Sequence, residues 1–569
     1  MRLRSRSIAL ASLLAIVVLL FLTLLFKHIS YPLLWHDESD TVMFGQRVVE
    51  YGYPKVHGAK NVVYGLTHAL RVGVDDRTDA YIGAPWGYYY YAAIGVALAR
   101  DVDDLYLRTA LLRVPFAAIG VLGLLVLLLG VRGSIDDARR RCFAILYWLF
   151  AAYSISLILH LREARYYGLL IFISCALLFV FVRYHVYRRL GYGLYVALTT
   201  LLLFLLFNTF YPAYPVFLVS LGLHHLGRAA FGSGSRAERV GGLLRSCLPL
   251  VLSLAATIPL LFYFDFLTQM KVWLAEHEAT LRVYGTSLRI VFLNLARYEF
   301  LLPALVMRIA VSLQIRQHPP QHASTASLQR RQIASFLFLF TLSYCLIVAR
   351  SISVWERYFI PLSPIITTML LLDAFTFGDL IRQSSKRSRW REAVAGTLVV
   401  VGLGTTVWWR IPDFRGRIYE ITHRYMGPLD FLIPYLKEKY PQPEELMIAT
   451  NYEEPALMYY LGSHVIVGFY GGNLENERDL QPDIIIPRAW RENLGTLAEM
   501  ARRAPYEPKT FPAKNIPMNG FPGLSRLFGR AMHHNFETVL AAEGESPLVI
   551  LERAPSLSLG EGEADPRGR

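Results

Sequence analysis

The chain has 569 residues, of which 54% are hydrophobic and only 18% charged, and its mean hydropathy is +0.35. Soluble domains carry about 25% charged residues, and here the apolar excess sits in runs such as 8–26 and 247–264, close to the roughly 20 residues of a bilayer-spanning helix. This composition excludes a soluble globular enzyme, a disordered protein and a coiled coil, and it predicts a polytopic membrane protein.

The net charge of +14 comes from 58 basic and 44 acidic residues. In a soluble protein such an excess would suggest nucleic-acid binding. No basic stripe in this chain is interleaved with stacking aromatics, as single-strand binding requires. Basic residues in the cytoplasmic loops of a membrane protein orient its spans, so we expect the membrane, and no nucleic acid, as the partner of these charges.

The first apolar run, 8–26, follows the basic start Met1–Arg6 and resembles a signal peptide at first sight. It is longer than the apolar region of signal peptides, typically about 7–15 residues, and no clean small-x-small cleavage site follows it. We therefore expect an uncleaved first span.

Hydropathy predicts eleven spans in all. They cover residues 8–26, 114–131, 142–160, 166–182, 191–207, 211–226, 247–264, 300–315, 333–348, 359–375 and 393–409. With the N-terminus inside, every inside connection is basic, whereas the first outside segment, 27–113, has nine Lys or Arg against ten Asp or Glu. The charge rule thus predicts an integral plasma (inner) membrane protein with a cytoplasmic N-terminus and an extracytoplasmic segment from Arg410 onward.

Three domains follow from this pattern. Residues 1–409 form a transmembrane domain whose first outer loop, 28–113, carries interfacial helices, since the aromatic stretch 81–98 suits the headgroup region. Residues 410–555 form a small extracytoplasmic α/β domain, because short apolar runs alternate with a helix. Its predicted elements are strands at 446–449, 464–468, 484–486 and 547–551 and a helix at 453–461. The tail 556–569 is rich in glycine and charge, which predicts disorder.

An acidic segment, Trp35-His36-Asp37-Glu38-Ser39-Asp40, begins just beyond the outer end of the first predicted span. Adjacent carboxylates at a membrane surface are often no more than solvated loop charges. Here they directly follow a rigid apolar helix, which fixes their depth near the lipid headgroups. A carboxylate that is partly shielded from water has a raised pKa and is suited to act as a general base.

A second group, His160-Leu161-Arg162-Glu163-Ala164-Arg165-Tyr166-Tyr167, forms the short outer turn between the third and fourth predicted spans. It therefore lies at the same depth as the acidic segment. Arg162 and Arg165 are three residues apart and would share a helix face, and guanidinium groups suit phosphate oxygens. The alternative is a set of snorkelling interface charges with a local ion pair.

A third group, Trp355-Glu356-Arg357-Tyr358-Phe359-Ile360-Pro361, lies at the outer mouth of the tenth predicted span. The alternative is that this group contains only an aromatic residue of the interfacial belt beside a charge that helps to orient the span. All three groups share one side of the membrane and one depth. Arginines and carboxylates together there suit a reaction on a lipid-linked phosphate: arginines hold the anionic leaving group, and a carboxylate deprotonates an acceptor hydroxyl.

At these residues the sequence resembles the GT-C membrane glycosyltransferases, which include the dolichyl-phosphate-mannose protein mannosyltransferases and the lipid A aminoarabinose transferases. The resemblance covers about residues 1–375 in layout. The motifs that carry it are Asp37-Glu38, Gly83-Ala84-Pro85-Trp86-Gly87-Tyr88-Tyr89, Arg113-Val114-Pro115, the turn from Arg162 to Tyr166, and Arg357-Tyr358 with Pro361.

The resemblance implies a mainly α, GT-C-type helix bundle that transfers a hexosyl or pentosyl group, with inversion, from a polyprenyl-phosphate donor to a hydroxyl of a lipid, glycan or protein acceptor. The catalytic residues it implies are Asp37, Glu38 and Glu163. The residues it implies for the donor phosphate are Arg162, Arg165, Arg357 and Lys60. The substrate contacts it implies are Tyr166, Trp86 and Tyr358.

Two departures from the family pattern are visible. The first loop carries Ala84-Pro85 where a pair of prolines is usual, and the tail lacks the β-trefoil repeats of the eukaryotic protein mannosyltransferases, which disfavours that branch. A metal ion has possible ligands in Asp37, Glu38, Asp40 and His57. Because arginines already stabilise the leaving group, we expect no cofactor, with a divalent metal left open.

Two other classes of function stay open at this stage. A secondary transporter or lipid flippase would place ionisable groups near the bilayer midplane on broken helices, whereas predicted spans two to seven carry almost no central charge. A scaffold or receptor that uses the tail as a binding module is the other alternative. The sequence identifies neither the sugar nor the acceptor.

Overall fold

The computed structural model of the chain consists of two compact units, comprising Met1–Lys55, Gly73–Tyr425 and Asn519–Glu537 in the first and Val56–Val72, Met426–Met518 and Thr538–Arg569 in the second. The structure describes residues 2–63, 73–232, 235–275, 281–317, 324–350, 354–383, 389–424, 426–469, 473–488, 493–515, 523–525, 530–531, 540–541 and 545–554. The predicted disordered tail, 556–569, lies outside these residues.

The first unit is mainly helical. Its helices are α1 (Arg2–Phe26), α2 (His36–Tyr51), α3 (Gly87–Ala99), α4 (Leu105–Val131), α5 (Arg140–Tyr153), α6 (Ile155–Leu161), α7 (Tyr167–Phe181), α8 (Tyr192–Thr209), α9 (Ala213–Phe231), α10 (Arg236–Tyr263), α11 (Phe266–Ala275), α12 (Leu281–Tyr298), α13 (Leu301–Gln317), α14 (Thr325–Val348), α15 (Leu362–Gln383) and α16 (Arg389–Thr422). The helices of the second unit are α17 (Pro428–Lys439), α18 (Glu454–Leu461), α19 (Asn473–Asn476) and α20 (Leu494–Ala501).

The strands are few and short. They are β1 (Val74–Asp75), β2 (Ala80–Tyr81), β3 (Val354–Trp355), β4 (Met447–Thr450), β5 (His464–Val467), β6 (Ile484–Ile486), β7 (Tyr506–Lys514), β8 (Gly523–Ser525), β9 (Arg530–Ala531) and β10 (Pro547–Arg553). In the first unit β1 and β2 form a hairpin, and β3, β8 and β9 form an antiparallel sheet in that order.

The predicted membrane helix bundle is confirmed. Among the described residues seven helices are long and apolar enough to cross a membrane, and α12 with α13, bent by 87°, make up to an eighth. The seven cover residues 7–26, 105–134, 167–186, 192–210, 236–263, 325–348 and 362–382. The count of eleven and the orientation stay predictions.

Two predicted helices differ from the structure. The predicted span 142–160 is divided, because α5 ends at Tyr153 and α6 begins at Ile155. Ser154 at the break has ψ 81°, outside the helical range, and its hydroxyl lies 2.9 Å from that of Ser363. Within the stretch 81–98, which was predicted to be an interfacial helix, the structure has α3, which begins only at Gly87 because Tyr81 already belongs to β2. Its place at the membrane interface stays a prediction.

The second unit contains the predicted α/β sheet. Its five strands lie in the order β5-β4-β6-β10-β7, with β4 parallel to β5 and β6, and β10 antiparallel to β6 and β7. Segment 56–63 of the first outer loop belongs to this unit: the Asn61 side chain donates to Ser463 O at 2.8 Å and accepts from Val465 N at 2.8 Å.

Close packing of α4 against α7 places two of the charged motifs side by side. A Cβ on Gly123 would lie 2.7 Å from Phe172 Cα, and a Cβ on Gly168 would clash with the carbonyl oxygen of Phe116. These glycines allow the two backbones to approach closely, as small residues do in membrane helix pairs. Arg113 lies one turn before Phe116, and Arg165 lies just before Gly168, so this contact fixes their separation.

The glycine contact leads to a prediction about stability. We expect Gly168→Ala to destabilise the protein by about 1–3 kcal/mol, the range for overpacking, because the new methyl group meets backbone rather than a movable side chain. Thermal unfolding of the purified full chain in detergent measures the change. The matched control is Gly222→Ala in α9, where the added Cβ has open space and helix propensity favours alanine. Equal loss in both variants would contradict the packing argument.

Candidate active site

One carboxylate, that of Asp37, lies between two arginines from distant parts of the chain. Its Oδ2 is 2.8 Å from Arg357 Nη1 and 3.4 Å from Arg165 Nη2. The side chains are only partly accessible, with 22% of Asp37, 11% of Arg357 and 12% of Arg165 exposed. The structure thus brings together one residue from each of the three charged motifs.

Local structure holds these groups in place. Asp37 lies in the first turn of α2, which begins after the extended Trp35, and the partial positive charge of a helix N-terminus favours a carboxylate there. Arg165 lies in the turn before α7, and its Nη1 donates to Asp37 O and to Thr41 Oγ1, each at 2.8 Å. Arg357 lies in a single 3₁₀ turn, Glu356–Phe359.

Behind this cluster, Glu38 and Arg113 form a buried ion pair. Arg113 Nε and Nη2 donate to the two oxygens of Glu38 at 2.8 and 2.6 Å, and the Ala164 amide donates to the same carboxylate at 2.7 Å. Arg113 Nη1 also donates to Ile29 O and Pro32 O, at 2.9 and 2.7 Å. Glu38 is fully buried. It therefore ties α2, α4 and the Arg162–Tyr166 turn together.

The surroundings shift the pKa values of the three acids near the cluster, Asp37, Asp40 and Glu163, in different ways. Burial raises the pKa of Asp37, but Arg357 and Arg165 outweigh burial and hold the pKa below its usual value. The expectation of a raised pKa at this carboxylate is therefore wrong, because burial comes with two cations. Burial, with a contribution from Asp37, raises the pKa of Asp40 to about 7 although Arg165 opposes it.

Glu163 is the third acid near the cluster. It is 6% exposed. Burial and then the nearby Glu38 raise its pKa well above the usual value, although Arg357, Arg165 and Arg113 oppose this. The raised pKa favours the neutral form of Glu163, which can donate a hydrogen bond.

The arginines give the cluster a positive balance. Two guanidinium groups, those of Arg165 and Arg357, face the single Asp37 carboxylate, whereas Arg113 is paired with Glu38. Among the described residues, Arg165 Nε and Arg357 Nε are buried without a hydrogen-bond partner. The site therefore suits an anion with several acceptor oxygens.

Aromatic rings form one wall beside the arginines. The Tyr166 ring lies 5.5 Å from Arg165 Cζ and stacks on Phe210 at 4.8 Å, and Phe210 lies 5.6 Å from the Tyr358 ring. Arg357 Cζ lies 6.0 Å from the ring of Tyr358. Tyr166 and Tyr358, two of the predicted substrate contacts, therefore border the charged cluster.

The remaining predicted site residues are Trp86, Lys60 and Arg162. Trp86 packs against Tyr263 and Phe264, with ring centroids 5.5 and 5.7 Å apart. Lys60 belongs to the second unit, where its Nζ donates to Glu444 O at 2.9 Å. Arg162, in the same turn as Arg165, is 8% exposed.

Two residues of the cluster were missing from the predicted site. Arg113 was noticed only as part of a motif, because a sequence does not show which acid an arginine pairs with. Tyr88 is 6% exposed, lies 5.9 Å from Arg165 Cζ and hydrogen-bonds to the Tyr89 hydroxyl at 2.7 Å. Like Arg113, Tyr88 was noticed only as part of a motif, the stretch from Gly83 to Tyr89.

Two of the carboxylates considered as metal ligands, Glu38 and Asp37, already have partners within the protein. Both oxygens of Glu38 accept from Arg113, and Oε1 also accepts from the Ala164 amide. Asp37 already faces two guanidinium groups. A dication beside Asp37 would therefore have to displace or tolerate two cations, so these residues fit an anionic ligand better than a metal ion.

The Glu38–Arg113 pair leads to a second prediction. We expect Arg113→Met to destabilise the protein by about 3–5 kcal/mol, because it leaves a buried carboxylate without its cation. The double variant Arg113→Met with Glu38→Gln should recover part of this loss, and a double-mutant cycle of unfolding temperatures measures the coupling. The surface pair of Lys514 and Glu545 is the control, since exposed pairs contribute about 0–1 kcal/mol. A loss no larger than for Lys514→Ala would contradict the predicted role of the pair.

No protein-family model and no curated protein sequence matches the chain. Its structure is similar to that of ArnT, the lipid A aminoarabinose transferase, from Cupriavidus metallidurans. The apo ArnT structure is 13% identical, with a TM-score of 0.52 over 97% of this chain and 98% of that chain. The structure bound to undecaprenyl phosphate is 11% identical, with a TM-score of 0.50 over 96% and 98%.

A third similar structure is the oligosaccharyltransferase AglB from Archaeoglobus fulgidus in complex with an inhibitory peptide and a dolichol-phosphate. It is 11% identical, with a TM-score of 0.49 over 88% of this chain and 68% of that chain. The likeness to ArnT over nearly the full length of both chains confirms the resemblance at the level of the fold. The chain has the fold of the GT-C membrane glycosyltransferases.

Proposed function

We propose that the protein is an integral membrane glycosyltransferase, which moves a sugar from a polyprenyl-phosphate-linked donor to an acceptor hydroxyl on the extracytoplasmic side. The observation that carries this proposal is the partly accessible Asp37 carboxylate between Arg165 and Arg357. The GT-C fold supports it, as does the ArnT structure bound to undecaprenyl phosphate. The acceptor belongs to the lipid, glycan or protein class.

The arginines are the proposed ligands of the donor phosphate. Two guanidinium groups face the single Asp37 carboxylate, and Arg165 and Arg357 each have an unused Nε–H among the described residues. Guanidinium groups bind phosphate oxygens through charge-assisted hydrogen bonds. Arg162 and Lys60 are the further proposed phosphate ligands, and Tyr166, Tyr358 and Trp86 the proposed substrate contacts.

Asp37 is the proposed base. It takes the proton of the acceptor hydroxyl, the hydroxyl oxygen forms a bond to the anomeric carbon, and the bond from that carbon to the phosphate oxygen breaks. The bonding pair leaves with the polyprenyl phosphate, whose new charge the arginines stabilise. Attack from the face opposite the leaving group inverts the anomeric centre.

Donor binding would itself activate this base. In the free protein, Arg357 and Arg165 hold the pKa of Asp37 below its usual value, which makes it a weak base. A donor phosphate that shares these two arginines reduces their effect on Asp37, so its pKa rises when the donor is bound. The proton acceptor is thereby strengthened only when there is a sugar to transfer.

The other two acids have supporting roles in this proposal. Glu38 acts through Arg113 and the Ala164 amide, which makes it a positioning residue for the turn that carries Arg165. Burial and the nearby Glu38 raise the pKa of Glu163 well above its usual value, which favours the neutral form. We propose that it donates a hydrogen bond to a substrate oxygen rather than accepting a proton.

One observation bears on the alternative function, a transporter or flippase. Arg308 and Asp373 form an ion pair of 2.9 Å between helices α13 and α15, and ionisable residues within spans often mark transport pathways. The two charges neutralise each other, so the pair is equally consistent with a purely structural role. The assay below separates the two functions.

The role of Asp37 gives a third prediction. We expect Asp37→Asn to lower turnover by about 10²–10⁴-fold, the usual contribution of a general base, while donor binding is retained, because the amide no longer competes for the two arginines. Purified full-length protein is incubated with polyprenyl phosphates that carry radiolabelled hexoses or pentoses, and released polyprenyl phosphate and transferred label are counted. Asp103→Asn, an exposed acid of the same outer loop, is the matched control.

A second variant separates the base from the phosphate ligands. Arg357→Gln should weaken donor binding about tenfold or more, the effect of losing a charge-assisted hydrogen bond, and should lower turnover as well. Turnover of Asp37→Asn equal to that of the unmodified protein would exclude Asp37 as the base. Movement of the labelled lipid between leaflets of proteoliposomes without bond cleavage would support the transporter.

The raised pKa of Asp40 gives a fourth prediction. Above its pKa of about 7 the carboxylate adds a negative charge near Arg165, and below it this charge is lost. A phosphodiester donor keeps one negative charge throughout, so its affinity should rise roughly fivefold as the pH falls from one unit above this pKa to one unit below, since about 1 kcal/mol of repulsion is removed.

Binding of a non-cleavable phosphonate analogue of the donor measures this pH effect. Asp40→Asn should bind the analogue with the affinity that the unmodified protein shows at the lower pH, and it should do so across the whole range. An equally steep pH profile in both proteins would show that another group is responsible.

A further inference from the structure

A three-histidine cluster lies at the far end of α7 from Arg165. His185 belongs to the widened turn Val182–Val186 that follows α7, and His224 and His225 are consecutive residues of α9. One ligand nitrogen from each residue lies within 4.8 Å of the other two. About 20 residues of helix separate the cluster from Arg165, which corresponds to roughly 30 Å, so the cluster is independent of the candidate active site.

Two of these histidines have unused nitrogens. Among the described residues, His224 Nε2 and His225 Nε2 are buried without a hydrogen-bond partner, and His225 is only 2% exposed. A buried polar atom without a partner costs about 1–3 kcal/mol, and a bound ion is one way in which proteins satisfy such an atom. One nitrogen of each of the three histidines lies within 4.8 Å of the others, so a single ion could bind all three residues.

The third histidine is oriented by a tyrosine. The Tyr195 hydroxyl lies 3.2 Å from His185 Nε2 and 3.3 Å from Ser246 O. Because the hydroxyl has one proton to donate, and Ser246 O can only accept, Tyr195 accepts from His185 Nε2–H. This arrangement leaves the Nδ1 lone pair of His185 available. Metal-bound histidines usually donate their other ring N–H to such a partner.

The surroundings of the cluster are basic. His185, Arg188 and Arg228 all line two cavities, of about 920 Å³ and 400 Å³. His224 lines the larger cavity and His225 the smaller one. A dication held by three neutral imidazoles beside two guanidinium groups would be repelled unless an anion accompanied it. A metal ion here therefore needs an anionic ligand on the side of the arginines.

We propose that His185, His224 and His225 bind one divalent metal ion of the zinc class. Neutral imidazole is a preferred ligand of Zn²⁺ and Co²⁺, and metal–nitrogen bonds of about 2.0–2.1 Å require the three nitrogens, now within 4.8 Å of one another, to move closer together. Three protein ligands leave the fourth tetrahedral position open. An oxygen of a phosphate-class anion, paired with Arg188 and Arg228, fills this position.

Cobalt binding tests the proposal without any activity assay. The full-length protein is purified in detergent with a tag that contains no histidine, stripped with a chelator, and titrated with Co²⁺, whose visible absorption is intense only in a tetrahedral site. We expect one Co²⁺ per chain, displaced by one Zn²⁺. His224→Ala and His225→Ala should each lower the affinity by more than about 100-fold, beyond what loss of an outer-shell partner costs. His423→Ala, which removes an exposed histidine, should leave it unchanged.

A milder variant keeps the test decisive if the alanine variants fail to fold. Tyr195→Phe retains the ring packing and removes only the hydroxyl, so it should lower the affinity about 10–100-fold. No tetrahedral Co²⁺ signal in the unmodified protein, or a signal that persists in both His224→Ala and His225→Ala, would overturn the proposal.

The anionic ligand is tested on the same sample. Inorganic phosphate should shift the cobalt spectrum of the unmodified protein, and it should have a weaker effect on Arg228→Gln, which keeps all three histidines. A spectrum of the unmodified protein that phosphate leaves unchanged would overturn the assignment of the fourth ligand.

Discussion

The site depends on one carboxylate that two cations share. Asp37 comes from the first turn of α2, Arg165 from the turn before α7, and Arg357 from a turn before α15. None of these short segments could hold a charged group in a fixed place alone. The ion pairs join the three segments. Because the side chains are only partly buried, a polar ligand can still compete with Asp37 for the two arginines. Because two arginines face a single carboxylate, the site favours binding of a further anion.

The neighbouring Glu38–Arg113 pair is also an ion pair between a carboxylate and a guanidinium group, but it is buried. The Glu38 carboxylate accepts three hydrogen bonds. The Arg113 guanidinium also donates to two carbonyl groups, Ile29 O and Pro32 O, in the segment between α1 and α2. Such a pair adds little net stability, but losing one partner is costly. Two adjacent acids in the sequence thus differ in their surroundings: Glu38 is fully buried in its ion pair, whereas Asp37 remains partly accessible.

The sequence predicted most of the helices and four of the five strands of the larger sheet, because buried apolar runs leave a clear pattern. Strand β7 was missed because it is an edge strand with mostly exposed residues and contains Pro508 and Pro512, a composition that is tolerated only at an edge. The break at Ser154 was missed because hydropathy does not record backbone angles.

The candidate site was predictable in part for the same reason. Shared depth in the membrane indicated that Asp37, Arg165 and Arg357 would meet, whereas the partner of each charge depends on tertiary packing. Arg113 was therefore absent from the predicted site, and the direction of the Asp37 pKa shift was wrong. Protonation states follow from which charges are neighbours, and a single sequence does not specify this.

The 87° elbow between α12 and α13 has a consequence for any motion of the bundle. At such a bend amide and carbonyl groups lose their helical partners, and hydrocarbon tails offer none in exchange. Glu299 and Phe300 at the elbow are 5% and 2% exposed, and Arg410 of α16 lies 5.6 Å from the Phe300 ring. Because Arg410 of α16 covers the Phe300 ring, a movement of helix α16 away from this corner would expose the bend.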